Sequence, residues 1–270
     1  VKRYTKWILP AAAVMLGLLM IFPLYTLVAG SLRSETNVFD GSLIPKDWLF
    51  DNYRIAVEQS GIVRSIGNSL IVSGTVTVVA MLFHSMAGYA LARFRFPGQQ
   101  VIFSWMLSTL MVPFAVIMLP LYLIVRELGM LNSYAGLIVP ALFNAYGIFL
   151  FRQFYREFPK ELEEAAYMEG LSLARTYFSI ALPLSGPIIV PLTIGFFIAN
   201  WNSYIWPLII TQDDRLWVIQ VQLANLVGSG HFTPWNILLA AAVLAAIPTF
   251  ILFFMAQRHL VEGIKMSGIK

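Results

Sequence analysis

Uncharged apolar runs, each long enough to cross about 30 Å of hydrocarbon, alternate with short polar stretches. The runs fall at residues 7–29, 65–92, 101–125, 132–151, about 186–210 and 235–257, which predicts six membrane-spanning helices. Lys2, Arg3 and Lys6 precede the first run, which is longer than the about 7–15 apolar residues of a cleaved leader, so a retained span is expected. A loop at 30–64, holding Pro45, Trp48 and nine charges, separates the first two runs. Pro183 and Pro187 make the approach to the fifth run irregular. Residues 216–234 mix polar and apolar positions and predict a re-entrant or surface helix, and a polar tail is expected after 257.

One polar stretch stands apart. Residues 152–175 carry nine charges: Arg152, Arg156, Glu157, Lys160, Glu161, Glu163, Glu164, Glu169 and Arg175. Each would cost about 2.5–3.5 kcal/mol at a bilayer centre, so the stretch belongs in water or against another protein. Pro159 suits a helix start and acidic residues crowd the first turn. Gly170 interrupts that helix and Ser172 can cap a second. A short helix–turn–helix outside the membrane is predicted, over about 159–178.

Composition sharpens the class. The chain is 59% hydrophobic and 12% charged, against about 25% charged in soluble domains. One all-α transmembrane domain over 1–270 is expected. The net charge of +4 reports sidedness rather than a nucleic-acid partner. Twelve of the 18 Lys and Arg residues fall on the side holding both termini, 93–100 and 152–175; six fall on the other. Cationic loops stay in the cytoplasm, which predicts cytoplasmic N- and C-termini.

Several chemistries are excluded or disfavoured. There is no cysteine, hence no disulfide or thiolate metal site. There is no G-x-x-x-x-G-K-[ST] loop for ATP. His84, His231 and His259 fall at three different depths, so no metal site and no catalytic set is indicated. His84, mid-run, reads as a hydrogen-bonded packing residue. No Asp or Glu lies within the six runs, which disfavours an ion-coupled secondary transporter.

Glu164-Ala165-Ala166, Gly170 six residues after the Glu, and Ile180-Ala181-Leu182-Pro183 together resemble the EAA loop of ABC-importer membrane subunits. Glu169, where that family more often has Asp, and Leu171, where it often has Ala, depart from the pattern. The resemblance implies coupling helices that dock on a cytoplasmic ATPase through Glu164, Ala165, Ala166, Glu169 and Gly170. The small alanines would permit close approach, and Glu164 could pair with an Arg across the interface. It further implies a type I importer permease fold with six transmembrane helices. The implied partners are a second related permease subunit, two ATPase subunits carrying ATP and Mg, and an extracytoplasmic solute-binding protein. No cofactor is expected in this chain, and the setting implied is the inner membrane of a prokaryote.

The string Asn200-Trp201-Asn202-Ser203-Tyr204-Ile205-Trp206-Pro207-Leu208 is similar to the fifth helix of sugar-importer subunits of the maltodextrin type. Gln257-Arg258, Val261-Glu262-Gly263 and Ser267-Gly268-Ile269-Lys270 resemble the tail of that group. Trp201, Tyr204 and Trp206 offer flat apolar faces to a sugar, and Asn200 and Asn202 offer donors and acceptors. The same residues also suit an interfacial belt or helix packing. On one continuous helix, Asn202 and Trp206 would share a face. Asn68 and Asn144 are further candidates. No Lys or Arg lies within the runs, which favours a neutral sugar or oligosaccharide. A polyol or glycerol phosphate is the alternative.

Overall fold

The structure is a computed structural model that describes residues 5–228 and 234–267, with side chains from 8 to 257. Among the described residues all regular structure is helical. Three long helices match predicted runs: α1 (Thr5–Ser31), α3 (Ile62–Arg93) and α13 (Trp235–Ser267). The helix α13 continues ten residues past the point where a polar tail was expected. His231 and the tail residues 268–270 lie outside the described residues, as do Lys2 and Arg3; the side chains of Lys6, Arg258, His259, Val261 and Glu262 do too.

The third and fourth runs are not single helices. Residues 99–127 form α4 (Gln99–Ser108), a 3₁₀ turn and α5 (Phe114–Glu127), with the two limbs bent by 107°. Pro113 lies at the bend. It has no N–H to donate, and it holds Val112 in extended backbone at φ −87°, ψ 116°. Residues 134–157 form α6 (Tyr134–Ile138), a 3₁₀ turn containing Pro140, and α7 (Ala145–Glu157), bent by 41°. Among the described residues four helices are long and apolar enough to cross a membrane, and counting each bent pair as one span gives six.

The fifth run also breaks. The helix α10 (Gly186–Trp201) stops, and α11 (Ile205–Ile210) restarts after Asn202–Tyr204. Pro207 accounts for the gap: its ring would clash with the Ser203 carbonyl and it lacks an N–H for it. The expected continuous helix to 210 is therefore corrected. So is the shared face of Asn202 and Trp206, which needed that helix. Within 216–234, α12 (Ile219–Gly228) forms.

The chain folds as two compact units, residues 1–66 with 219–248, and residues 67–218 with 249–270. In the first unit, α2 (Asp51–Gln59) and the preceding loop are fixed by polar contacts. Asn52 donates to the carbonyls of Ser31 (2.8 Å) and Arg33 (2.9 Å) and accepts from Asn236 (3.0 Å). Gln222 of α12 donates to the Ser60 carbonyl at 2.5 Å. The Asp40 carboxylate takes Arg33 at 2.9 Å and Lys46 at 2.9 Å. Hydrogen bonds from Ser42, then Lys46, hold that carboxyl far below its ordinary value of 3.8. Its contribution to loop order is thus complete above that value and is lost only as pH falls through the depressed one.

The second unit has an aromatic core: Tyr89 of α3, Phe151 and Tyr155 of α7, Phe158, Tyr177 and Phe196 of α10 are all buried. His84 is fully buried there, and its Nε2 accepts the Asn144 N–H at 3.0 Å. That bond and the Asn144 side chain, which accepts from the Tyr146 N–H at 2.9 Å, satisfy the start of α7. Large apolar side chains elsewhere, such as Met20, Val78 and Val116, are exposed, as a lipid-facing surface requires.

Candidate functional site

The predicted polar helix–turn–helix forms as α8 (Lys160–Met168) and α9 (Leu173–Thr176). Pro159 sits at the N-cap, and Glu161 and Glu163 occupy the first turn. Glu163 and Ala166, three apart, are buried against the chain's own body. Helical geometry puts Glu161, Glu164, Ala165 and Met168 on the opposite side, and all four are exposed, Met168 at 89%. The two alanines of the motif therefore differ. Ala165 lies on the open ridge, whereas Ala166 is turned into its own chain.

Gly170 closes α8 with a left-handed residue, φ +81°. Its N–H reaches the Tyr167 carbonyl at 3.0 Å, and the Leu171 N–H reaches the Ala166 carbonyl at 3.0 Å. This is the Schellman closure. It explains the glycine by backbone conformation, and an added Cβ there would meet nothing within 4 Å. Glu169, at the C-cap, is exposed. Ser172 then caps α9 by accepting the Arg175 N–H at 3.4 Å.

The buried side of α8 is anchored. Arg93, the last residue of α3, meets Glu163 through Nε at 2.8 Å and 2.9 Å to the two carboxylate oxygens. Its Nη2 donates to the Phe158 carbonyl at 2.7 Å. The two side chains are only 8% and 6% exposed. Beyond α9 the chain enters a π-helical turn, Tyr177–Ala181. There Tyr177 donates to Ser85 of α3 at 2.9 Å, Ser85 pairs with Tyr155 of α7 at 2.7 Å, and Ser185 donates to Tyr155 at 2.8 Å. One ion pair and one buried hydroxyl chain thus join the polar segment to α3, α7 and the approach to α10. Sequence reading missed Glu163 as an anchor, because its partner is 70 positions away and no local spacing links them.

The aromatic and amide string is spread over different environments. Trp201 is 2% exposed and stacks on Phe197 at 5.7 Å. Trp206 is buried, donates its indole N–H to the Gly136 carbonyl at 3.0 Å and meets Phe114 edge-on. Asn200 donates to the Phe196 carbonyl at 2.8 Å. Asn202 and Tyr204, in the gap between α10 and α11, are exposed. Asn68 holds the carbonyls of Arg215 and Trp217 at 2.8 and 2.9 Å and accepts from Tyr134 at 2.6 Å. Asn132, not singled out in the sequence, has φ 53° and accepts the N–H groups of Gln212 and Asp213.

The profile of the family described as "binding-protein-dependent transport system inner membrane component" matches residues 84–266, more than half of the chain. The chain belongs to this family. The matched region of this inner-membrane component begins at His84 and takes in α8, α9 and the α10–α11 gap. The arabinooligosaccharides transport system permease protein AraQ of Halalkalibacterium halodurans is 32% identical, covering 100% of this chain and 99% of the relative. The sn-glycerol-3-phosphate transport system permease protein UgpE of Brucella abortus is 37% identical over 92% of both chains. The lactose transport system permease protein LacG of Rhizobium radiobacter is 31% identical, covering 91% and 89%. In fold, this permease component superposes on a chain of a bacterial ABC transporter involved in the import of the acidic polysaccharide alginate. The TM-score is 0.86 over 95% of this chain and 96% of that one, at 22% identity.

Proposed function

We propose that this chain is one membrane half of an ATP-driven importer, and that α8 and α9 couple it to a cytoplasmic ATPase subunit. The observation that carries this reading is the division of α8. One face is locked into the transmembrane unit through Glu163 and Ala166, and the other offers Glu161, Glu164, Ala165 and Met168 with no cover from the described residues. A helix of that kind converts a push on its outer ridge into movement of α3 and α7. A second related permease subunit, two ATPase subunits with ATP and Mg, and an extracytoplasmic solute-binding protein complete the machine. This chain does no covalent chemistry. In this reading both termini are cytoplasmic, which the Lys and Arg distribution supports. A cysteine at Asp214 should then react with an impermeant maleimide from outside, and one at Glu157 only after the membrane is opened.

Gly170 tests the coupling role. Gly170→Asn tolerates a positive φ and should leave ATPase stimulation within about twofold of the native level. Gly170→Trp adds left-handed strain of about 1–2 kcal/mol and bulk beside the ridge. It should reduce ATPase co-purification and solute-stimulated hydrolysis by tenfold or so by that strain alone, while membrane insertion persists. Normal stimulation in the Trp variant would remove the coupling role.

The solute in this reading is a neutral sugar or oligosaccharide. An anion crossing a low-dielectric core needs positive charge or aimed dipoles. Away from the span ends this chain offers amides, hydroxyls, indoles and His84. The AraQ and LacG relatives support the saccharide class. A glycerol phosphate is the second reading, favoured by the UgpE relative. In the reconstituted complex a neutral saccharide should stimulate hydrolysis, and stimulation by anionic ligands alone would decide for the second. Substrate contact is best probed at the exposed Asn202 and Tyr204. Truncating the buried Trp206 would damage packing, by about 3–5 kcal/mol, and so confound the result.

A further inference from the structure

A cavity of about 840 Å³ opens beside α8, between the end of α3, the start of α4 and the last turns of α7. Arg93, Arg95, Arg152, Arg156 and Lys160 line it, against the carboxylates of Glu163 and Glu164. Glu163 is taken by Arg93. Among the described residues, none of the other four cations has a carboxylate oxygen within 4.0 Å. So many cations in one concavity repel one another unless an anion joins them.

Arg152 is the fixed member of the cluster, and Arg95, Arg156 and Lys160 are exposed around it. Arg152 lies 3.8 Å above the Phe103 ring and donates through Nε to the Leu91 carbonyl at 3.2 Å. That fixes its plane, and its terminal nitrogens make no hydrogen bond among the described residues. Arg156 follows four residues later on α7 and so points the same way. Gly98, at φ +81°, is the N-cap of α4; the Gln99 N–H reaches the Phe96 carbonyl at 3.3 Å, which leaves the N–H groups of Gln100 and Val101 as the first-turn donors at this level. Four cationic side chains, the Gln100 amide and a helix start are the donor set of a phosphate oxyanion, while the Gln99 amide donates to the Leu91 carbonyl at 2.7 Å.

The level in the membrane says where that phosphate comes from. One turn further along α4, Val101, Ile102 and Trp105 are 63%, 55% and 75% exposed. On α7 the sequence passes from Leu150 and Phe151 directly to Arg152. The cavity therefore sits where an apolar, lipid-facing surface gives way to polar groups. We propose that it binds the phosphate of an anionic phospholipid headgroup, with the acyl chains lying along the exposed face of α4. A soluble phosphate would satisfy the same donors but would leave that apolar strip unused. The lipid then joins α3, α4 and α7 beside the anchored face of α8, whatever the transported solute is.

Native mass spectrometry of the assembled complex, released from micelles holding equal phosphatidylglycerol and phosphatidylcholine, tests this. Wild type should retain phosphatidylglycerol in preference. The R95Q/R156Q variant should lose about fivefold of that preference for each charge removed. R95K/R156K should keep it, which separates charge from folding. Millimolar inorganic phosphate should not displace the lipid. Equal retention of both lipids, or a preference unchanged in R95Q/R156Q, would overturn the proposal. Displacement by inorganic phosphate would overturn the lipid source and assign the cavity to a soluble anion. Retention by the isolated chain but not by the complex would mean that a partner protein covers the cavity, and would overturn it as well.

Discussion

Glu163→Ala is expected to disconnect α8 from the spans. The change leaves Arg93 charged and almost completely enclosed, with the Phe158 carbonyl as its remaining partner. Removing one member of a buried pair costs about 3–5 kcal/mol, much of it the penalty for the charge left behind. Both side chains are under a tenth exposed, so solvent screening does not discount that figure as it would at a surface. Two readouts separate the consequences. Thermal stability of the purified chain should fall, and in the complex ATP hydrolysis should lose its response to solute while the ATPase still binds, because the outer ridge of Glu164 and Ala165 is intact. The double change R93M/E163L replaces the pair with apolar groups of similar size. It should recover stability and leave coupling impaired, since packing replaces the pair but not the directional bond to Phe158. Full solute response in Glu163→Ala would show that α8 is carried by packing alone.

How much of this was legible in the sequence depends on whether the signal is local. The helices α1, α3 and α13 were plain, because long uncharged runs admit one structure in a bilayer. The α8–α9 turn was plain because Pro159, Gly170 and Ser172 each act on their own backbone. The breaks were not. Pro113, at the N-cap of α5, and Pro207, in the first turn of α11, each follow a break, yet Pro10, Pro23, Pro120, Pro191 and Pro248 lie inside unbroken helices. Proline in a span frees a carbonyl, and neighbouring groups decide whether the helix kinks or stops. Those neighbours are long-range: the short helix α11 after the second break is held by the Trp206 indole, which donates to the Gly136 carbonyl, and at its far end by the Asn132 N–H, which donates to the Ile210 carbonyl at 2.9 Å. The Arg93–Glu163 pair was hidden for the same reason. Trp201 and Trp206 were recognisable by type, but only packing shows that both are turned into the protein.

Gly88 should prove the least replaceable glycine of α3. A Cβ there would stand 2.5 Å from Phe151 Cβ, 2.8 Å from the Arg152 backbone nitrogen and 3.0 Å from the Phe151 carbonyl carbon. None of these is the end of a flexible side chain, so α3 and α7 would have to separate. In a bilayer, helix pairs are held by close packing of small residues rather than by burial of apolar area, and a forced gap costs contacts along the whole seam. Phe151 and Tyr155 are fully buried in that seam, and Ser85 holds Tyr155 across it. Gly88→Ala should destabilise by about 1–3 kcal/mol, the usual cost of overpacking, and Gly88→Leu should not accumulate as a monodisperse chain. Gly74 supplies the control within the same helix, since nothing lies within 4 Å of a Cβ there. Gly74→Ala should be neutral, or stabilising by up to about 1 kcal/mol from helix propensity. Heat-induced aggregation of each purified variant, followed by size exclusion, gives the comparison. If Gly88→Ala melted with wild type, the α3–α7 seam could relax at little cost, and Ser85, Tyr155 and Tyr177 could not act as a rigid link from α9 to the spans.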